Sequence, residues 1–238
     1  LSTADSLGRV NHLAQDAGMR LVSRPAHPDI VIVAIDDASI AAIGRWPWRR
    51  ALHAELISRL TAQNPRAIGM DVLFNEADLD YPEDDLLLTD AIRRSARVVL
   101  PVLRRGYGPV SNQTDLPWPA FADAAAGLGH VHVAPDSDGV VRSLYLLEGP
   151  AAAPWHHFSN ALQCVADRQP VATCGRSPVS ATDTSPWQRT EPTLIAYAAG
   201  PSPLPTYSYI AVLRGQLPAV APDGNYLLVG AAASGLSY

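Results

Sequence analysis

The stretch Asp29–Phe74, DIVIVAIDDASIAAIGRWPWRRALHAELISRLTAQNPRAIGMDVLF, sets the architecture. It reads as strand, loop, helix, strand, with the first strand at Ile30–Ile35 and the second from Ala67 to about Phe74. Both strands are apolar runs that meet carboxylates: Asp36 and Asp37 follow IVIVAI, and Asp71 lies inside AIGMDVLF. A right-handed crossover between parallel strands puts these acids on one edge of the sheet. In open parallel sheets ligands bind outside the carboxyl ends of the strands, where loops and helix ends converge. Trp46-Pro47-Trp48-Arg49 leads into a helix to about Ala62, with Leu52, Leu56 and Leu60 at i, i+4 and i+8. Pro47 suits the first helical turn, where its missing N–H costs nothing, and Asn64-Pro65 ends the helix.

Outward from this unit the alternation continues. The acidic loop EADLDYPEDD precedes a helix from about Asp84 to Ser95, with acids at its start and Arg93 and Arg94 at its end, as the helix dipole favours. A third strand is expected at Arg97–Val102, then a long loop from Arg104 to Pro119. GHVHVAPDSDGVVRSLYLL reads as a β-hairpin about an Asp138-Gly139 turn. A helix follows at about His156–Arg168, then a Ser/Thr/Pro-rich mobile loop from Arg176 to Pro192 and a strand at LIAYAA near residue 194. Tyr207–Arg214 reads as a short helix and YLLVGAA, residues 226–232, as the last strand. At the other end, Leu7, Val10, Leu13, Ala14, Ala17 and Leu21 mark one face of a helix over Thr3–Val22, stopped by Pro25. The expectation is an α/β layered sandwich: a mostly parallel central sheet, flanking helices and an inserted hairpin.

Composition narrows the function classes. The 238 residues suffice for a sizeable core, and 47% apolar with 17% charged residues is ordinary for a folded domain. A net charge of -5 lacks the basic stripe a nucleic-acid binder needs. All 18 Lys+Arg residues are arginine, which removes phosphate-loop lysines, Schiff bases and Ser–Lys dyads. No run of about eighteen apolar residues spans a bilayer. The start without methionine and the end just past a strand read as a domain excised from something longer. Cys164 and Cys174 either form a disulfide in an oxidising compartment, worth roughly 2–3 kcal/mol, or are two separate buried thiols.

Asp36, Asp37 and Asp71 are the residue types that hold Mg²⁺ or Ca²⁺ or hydrogen-bond a polar ligand; capping a helix or pairing with Arg49 is the structural alternative. Trp46 and Trp48 suit stacking on a ligand or closing the sheet end, and Arg49 suits a bidentate clamp on carboxylate or phosphate. Asp136-Ser137-Asp138-Gly139 lacks the later acids of a calcium loop. His130 and His132 face one side of a strand, but the sequence supplies no third ligand for a metal. No cofactor is expected.

Read together, DIVIVAIDDASI, GRWPWRR, AIGMDVLF, the acidic stretch into DDLLLTDAI, VVLP, GHVHVAPDSDGVVRSLYLL, PTLIAYAAGP, PTYSYIAVLRG and YLLVGAAASGL resemble the second type of CHASE sensor domain, in the right order along almost the whole chain. The resemblance implies one extracytoplasmic, periplasmic sensor domain over 1–238, with residues 1–24 a helix leading from a membrane helix. It implies a non-catalytic part of a bacterial receptor, dimeric in the whole protein. The output is a nucleotide cyclase, histidine kinase, diguanylate cyclase or serine/threonine kinase. The partner is a small molecule or periplasmic protein, and no nucleic acid. Asp36, Asp37, Ser39, Trp46, Pro47, Trp48, Arg49, Asp71 and Phe74 fall on the family's pattern and are the candidate ligand residues. The rivals are a metal-dependent hydrolase built on the three aspartates and a protein-docking domain without a small ligand.

Overall fold

The apolar runs read from the sequence form the centre of the molecule. The computed structural model describes residues 25–104, 114–133, 135–150, 153–174, 187–198, 204–216, 221 and 224–233. The N-terminal helix expected over Thr3–Val22 lies outside them. Strands β1 (Ile30–Ile35), β2 (Ala67–Met70), β3 (Val98–Arg104), β4 (Thr114–Asp115), β5 (Gly127–His130), β9 (Thr206–Ser208) and β10 (Tyr226–Ala231) make one sheet. Its order is β4-β3-β2-β10-β1-β9, and β5 also pairs with β3. Every pairing in it is parallel except β3 with β4. Strand β10 thus sits between β1 and β2, with Ile35 opposite Ala231 and Met70 opposite Val229.

Helices cover the two faces unequally. On one face Val31, Val33 and Ile35 of β1 pack with Leu56, Ile57 and Leu60 of α2 (Arg50–Thr61) and Leu88 and Ile92 of α3 (Pro82–Ser95). Helices α1 (Asp37–Ile43), α4 (Pro119–Ala124) and α6 (Tyr209–Leu213) complete that layer. The opposite face carries α5 (Phe158–Ala166), whose Ala161, Leu162 and Val165 meet Ala67 and Val99. Its close approach needs Gly129, where a Cβ would come within 2.6 Å of the Phe158 Cα. Cys164, buried in α5, is disulfide-bonded to Cys174, with Cα atoms 5.9 Å apart.

The mostly parallel α/β architecture is as expected, and several local readings change. DASIAAI is helix α1, not loop, because Asp36 caps it by accepting the Ser39 N–H at 2.8 Å. Pro47 lies three residues ahead of α2, which starts at Arg50, and the Trp46–Pro47 bond is cis. The antiparallel insertion exists, but it is a separate sheet of β7 (Trp155–His156), β6 (Ser143–Pro150) and β8 (Trp187–Leu194). Asp136–Val140 does turn, with the Gly139 N–H donating to the Asp136 carbonyl at 2.9 Å. That turn leads from β5 of the large sheet to β6 of the small one, so its arms do not pair. The strand expected at LIAYAA ends at Leu194, and β8 takes in Trp187–Pro192, which the sequence reads as loop. Its residues WQRTEPTL carry little strand signal; pairing with β6 from Pro150↔Trp187 to Ser143↔Leu194 holds them extended.

Candidate functional site

The carboxyl rim of the large sheet separates the candidate residues into three groups. Asp36, directly after β1, is used up locally. Its Oδ1 accepts the Ser39 N–H at 2.8 Å, the Ser39 hydroxyl at 2.6 Å and the Ser208 hydroxyl at 2.8 Å. Ser39 is fully buried, and its hydroxyl also accepts the Ile210 N–H at 3.1 Å. This knot ties the start of α1 to the start of α6. Burial works to raise the Asp36 pKa, but the Ser39 and Ser208 hydrogen bonds outweigh it and hold the carboxyl below its ordinary value. Asp37 is the first residue of α1 and exposed.

Asp71 follows β2, with its N–H on the Val229 carbonyl at 2.8 Å. Strand β10 lies between it and β1, so it stands two strand spacings, about 9–10 Å, from the level of Asp36. The residue is exposed at the rim, yet partial burial of its carboxyl raises its pKa. Gly230, its neighbour on β10, leaves the space beside its carboxylate open. The three aspartates share an edge without forming a joint cation site: among the described residues the one group of three metal-ligating side chains within 4.8 Å is His130, His132 and Glu148. The hydrolase alternative therefore draws no shared metal from these three carboxylates.

Trp46, Trp48, Arg49 and Phe74 do converge. They line a cleft of about 590 Å³ together with the Asn75–Tyr81 loop. The Trp46 and Trp48 rings meet edge-on with centroids 5.1 Å apart, and Trp48 packs on Tyr209 at 4.9 Å. His53 of α2 lies behind them, with its Nδ1 2.9 Å from the Tyr209 hydroxyl and its ring 5.2 Å from that of Phe74. Burial, reinforced by the Arg50 charge, depresses the His53 pKa to about 3, so the ring is neutral. The Trp48 indole N–H donates to the Gly44 carbonyl at 2.8 Å, fixing that ring.

The cleft's charges are paired in an order the sequence does not announce. Arg49 pairs with neither Asp36 nor Asp71. It grips Asp84 at the start of α3 through Nε at 2.8 Å and Nη2 at 2.9 Å, reaches Glu83 at 3.3 Å, and stacks over Tyr81 at 3.7 Å. The Arg49 hydrogen bonds hold the Asp84 carboxyl below its ordinary pKa. Asp84 also accepts the Ala51 N–H at 3.3 Å, in the first turn of α2. Arg50 bonds Asp85 and the Glu76 carbonyl, while Asp85 accepts the Asp78 N–H at 3.0 Å. Asp78 in turn accepts the N–H groups of Asp80 and Tyr81. The acids of this loop therefore shape it over the aromatic wall. Sequence reading missed His53, Asp84, Asp85 and Tyr209; the adjacent Arg49-Arg50 and Asp84-Asp85 pairs were the available signal.

A second polar cluster joins the two sheets. His130 ends β5, His132 follows, and Glu148 projects from β6. Glu148 Oε1 accepts the Trp187 indole N–H at 2.8 Å and the Arg189 Nε–H at 2.9 Å, with His132 Nδ1 at 3.5 Å. Burial works to raise the Glu148 pKa, and the His132, Trp187 and Arg189 contacts reverse this and bring it to about 2. The sequence-based expectation of no metal set rested on a missing third ligand; Glu148 comes from the neighbouring sheet, 16 to 18 residues on.

A family model, the CHASE2 domain, matches residues 1–238. The chain belongs to the CHASE2 family. CHASE2 domains are extracellular sensor domains, which fits a sensing role for this chain. No curated relative and no solved structure matches this CHASE2 chain.

Proposed function

We propose that this chain, over 1–238, is the periplasmic ligand-sensing domain of a membrane-anchored bacterial receptor, non-catalytic itself and dimeric in the whole protein. It relays to a cytoplasmic output such as a nucleotide cyclase, histidine kinase or diguanylate cyclase. The observation that carries the ligand-sensing reading is the cleft: Trp46, Trp48, Arg49 and Phe74 converge there, at the carboxyl rim where ligands of open α/β sheets bind. Its wall offers aromatic faces and a guanidinium, and its roof is a loop held by hydrogen bonds that a ligand can replace. Signal follows if a ligand favours one arrangement of that roof and α3 over another, by no more than its affinity difference for the two.

The test is a fluorescence and thermal-shift screen of periplasmic metabolites against wild type and Trp46→Ala. A ligand at 100 times its dissociation constant adds about 2.7 kcal/mol, a shift of several degrees at this size. A hit that vanishes in Trp46→Ala with the basal melting temperature kept supports the cleft. A hit insensitive to Trp46→Ala and Arg49→Met rejects it, and a screen without hits favours a periplasmic protein as the input.

A further inference from the structure

The cluster between the sheets brings imidazole and carboxylate donors together from two segments of the chain, one at the end of β5 and one in β6. One ligand atom from each of His130, His132 and Glu148 lies within 4.8 Å of the other two. His130 is fully buried and Glu148 nearly so. His130 Nε2 is buried without a hydrogen-bond partner, and His132 Nδ1 meets the Glu148 carboxylate at 3.5 Å. A buried imidazole nitrogen without a partner costs stability, and a metal ion held by the three side chains satisfies it. We propose that His130, His132 and Glu148 form a binding site for a divalent transition-metal ion of the zinc type, which clamps the large sheet to the small one.

The donor set selects the metal. Two imidazoles and a carboxylate are zinc ligands, and imidazole equally suits Ni²⁺ and Cu²⁺, whereas Mg²⁺ and Ca²⁺ demand oxygen. Tetrahedral zinc with bonds of about 2.0–2.1 Å sets its donors about 3.4 Å apart. His132 Nδ1 and Glu148 Oε1 already stand at 3.5 Å, so closure falls mainly to His130. The outer contacts suit the role: the Trp187 and Arg189 N–H groups fix the Glu148 carboxylate. Three protein ligands leave the fourth position to water or an incoming donor.

Two features oppose binding and define the test. His132 Nε2 accepts the Arg104 N–H, so the neutral ring carries its proton on Nδ1, facing Glu148. Metal at Nδ1 moves that proton to Nε2 and opens the Arg104 bond: one backbone hydrogen bond is exchanged for three metal bonds. Arg189, at 2.9 Å, is the resident counter-cation of Glu148 and competes with the ion.

The experiment is a calorimetric titration of the chelator-treated 238-residue chain with ZnCl₂, repeated on variants. Wild type is expected to bind one zinc per chain. His132→Gln and Glu148→Gln are expected to lose at least about tenfold in affinity; the second keeps an amide oxygen as acceptor for the Trp187 N–H. Arg189→Met is expected to bind more tightly, and His27→Gln, at an exposed histidine elsewhere, to bind as wild type. X-ray absorption of the wild-type zinc complex is expected to show two imidazole ligands, a readout that survives if a variant misfolds. No zinc uptake by wild type, uptake undiminished in both ligand variants, or fewer than two imidazoles overturns the proposal and leaves the buried Glu148 carboxylate paired with the exposed Arg189 and flanked by histidines.

Discussion

His53 shows how one side chain acquires a role that its sequence neighbours do not suggest. It sits on the buried face of α2 among Leu56, Ile57 and Leu60, and it holds the Tyr209 hydroxyl while its ring meets Trp46 and Phe74. Its folded pKa of about 3 lies below the ordinary 6.5. Between these values the unfolded chain binds a proton that the folded chain refuses, so stability falls as pH drops from about 6.5 towards 3 and is flat above 6.5. His130 and His157, also depressed chiefly by burial, act in the same direction. Urea midpoints measured from pH 8 to pH 5 are expected to fall below pH 6.5. His53→Gln is expected to shallow that slope by up to about 1.4 kcal/mol per pH unit, one proton's worth. An unchanged slope would mean that His53 is protonated in the folded protein.

Between elements, the adjacent Arg49-Arg50 and Asp84-Asp85 pairs lock α2 to α3. Asp84 is nearly buried, receives both Nε and Nη2 of Arg49, and accepts the Ala51 N–H at the start of α2. Asp84→Asn keeps the shape and removes the charge, so two charge-assisted bonds weaken together. The expected loss is about 2 kcal/mol in chemical denaturation, since Arg49 remains half in water and recovers part of its solvation. Because Arg49 and Tyr81 line the cleft, the same variant is expected to loosen the roof, seen as faster amide exchange over Asn75–Tyr81. Protection as in wild type would show that the Arg50–Asp85 pair alone sets the loop.

For the molecule as a whole, the order of strands is the property that most constrains folding. β10 is the partner of both β1 and β2, so the first βαβ unit has no continuous sheet until Tyr226–Ala231 is in place. Removing residues from Gly224 onward leaves Val31, Val33 and Met70 on strands that have lost their shared neighbour. The truncated chain is expected to show no cooperative thermal transition by circular dichroism, where the full chain shows one. A cooperative transition in the truncated chain would mean that β1 and β2 can pair directly.

The chain read as letters was enough for the elements whose signal is local. Ile30–Ile35, Ala67–Met70, Tyr226–Ala231 and β3 up to Leu103 are apolar runs because a sheet buried on both faces needs them, while α2 repeats leucine at Leu52, Leu56 and Leu60 and α3 sets Leu88, Ala91 and Ile92 at helical spacing. The Trp46–Arg49 motif was legible as a candidate site for the same reason: its residue types are unusual and adjacent. The pairings came only with the folded chain. Folding turned Asp36 inward as a cap, because Ser39 and Ser208 supply donors that water would otherwise provide. It separated Asp71 from Asp36 by inserting β10, a strand nearly 200 residues beyond Asp36. It extended the polar segment Trp187–Leu194 into β8 through backbone bonds to β6, which carry no side-chain signature. It also set Glu148 beside His130 and His132 by packing one sheet against another, an outcome of chain topology that no spacing along the sequence encodes.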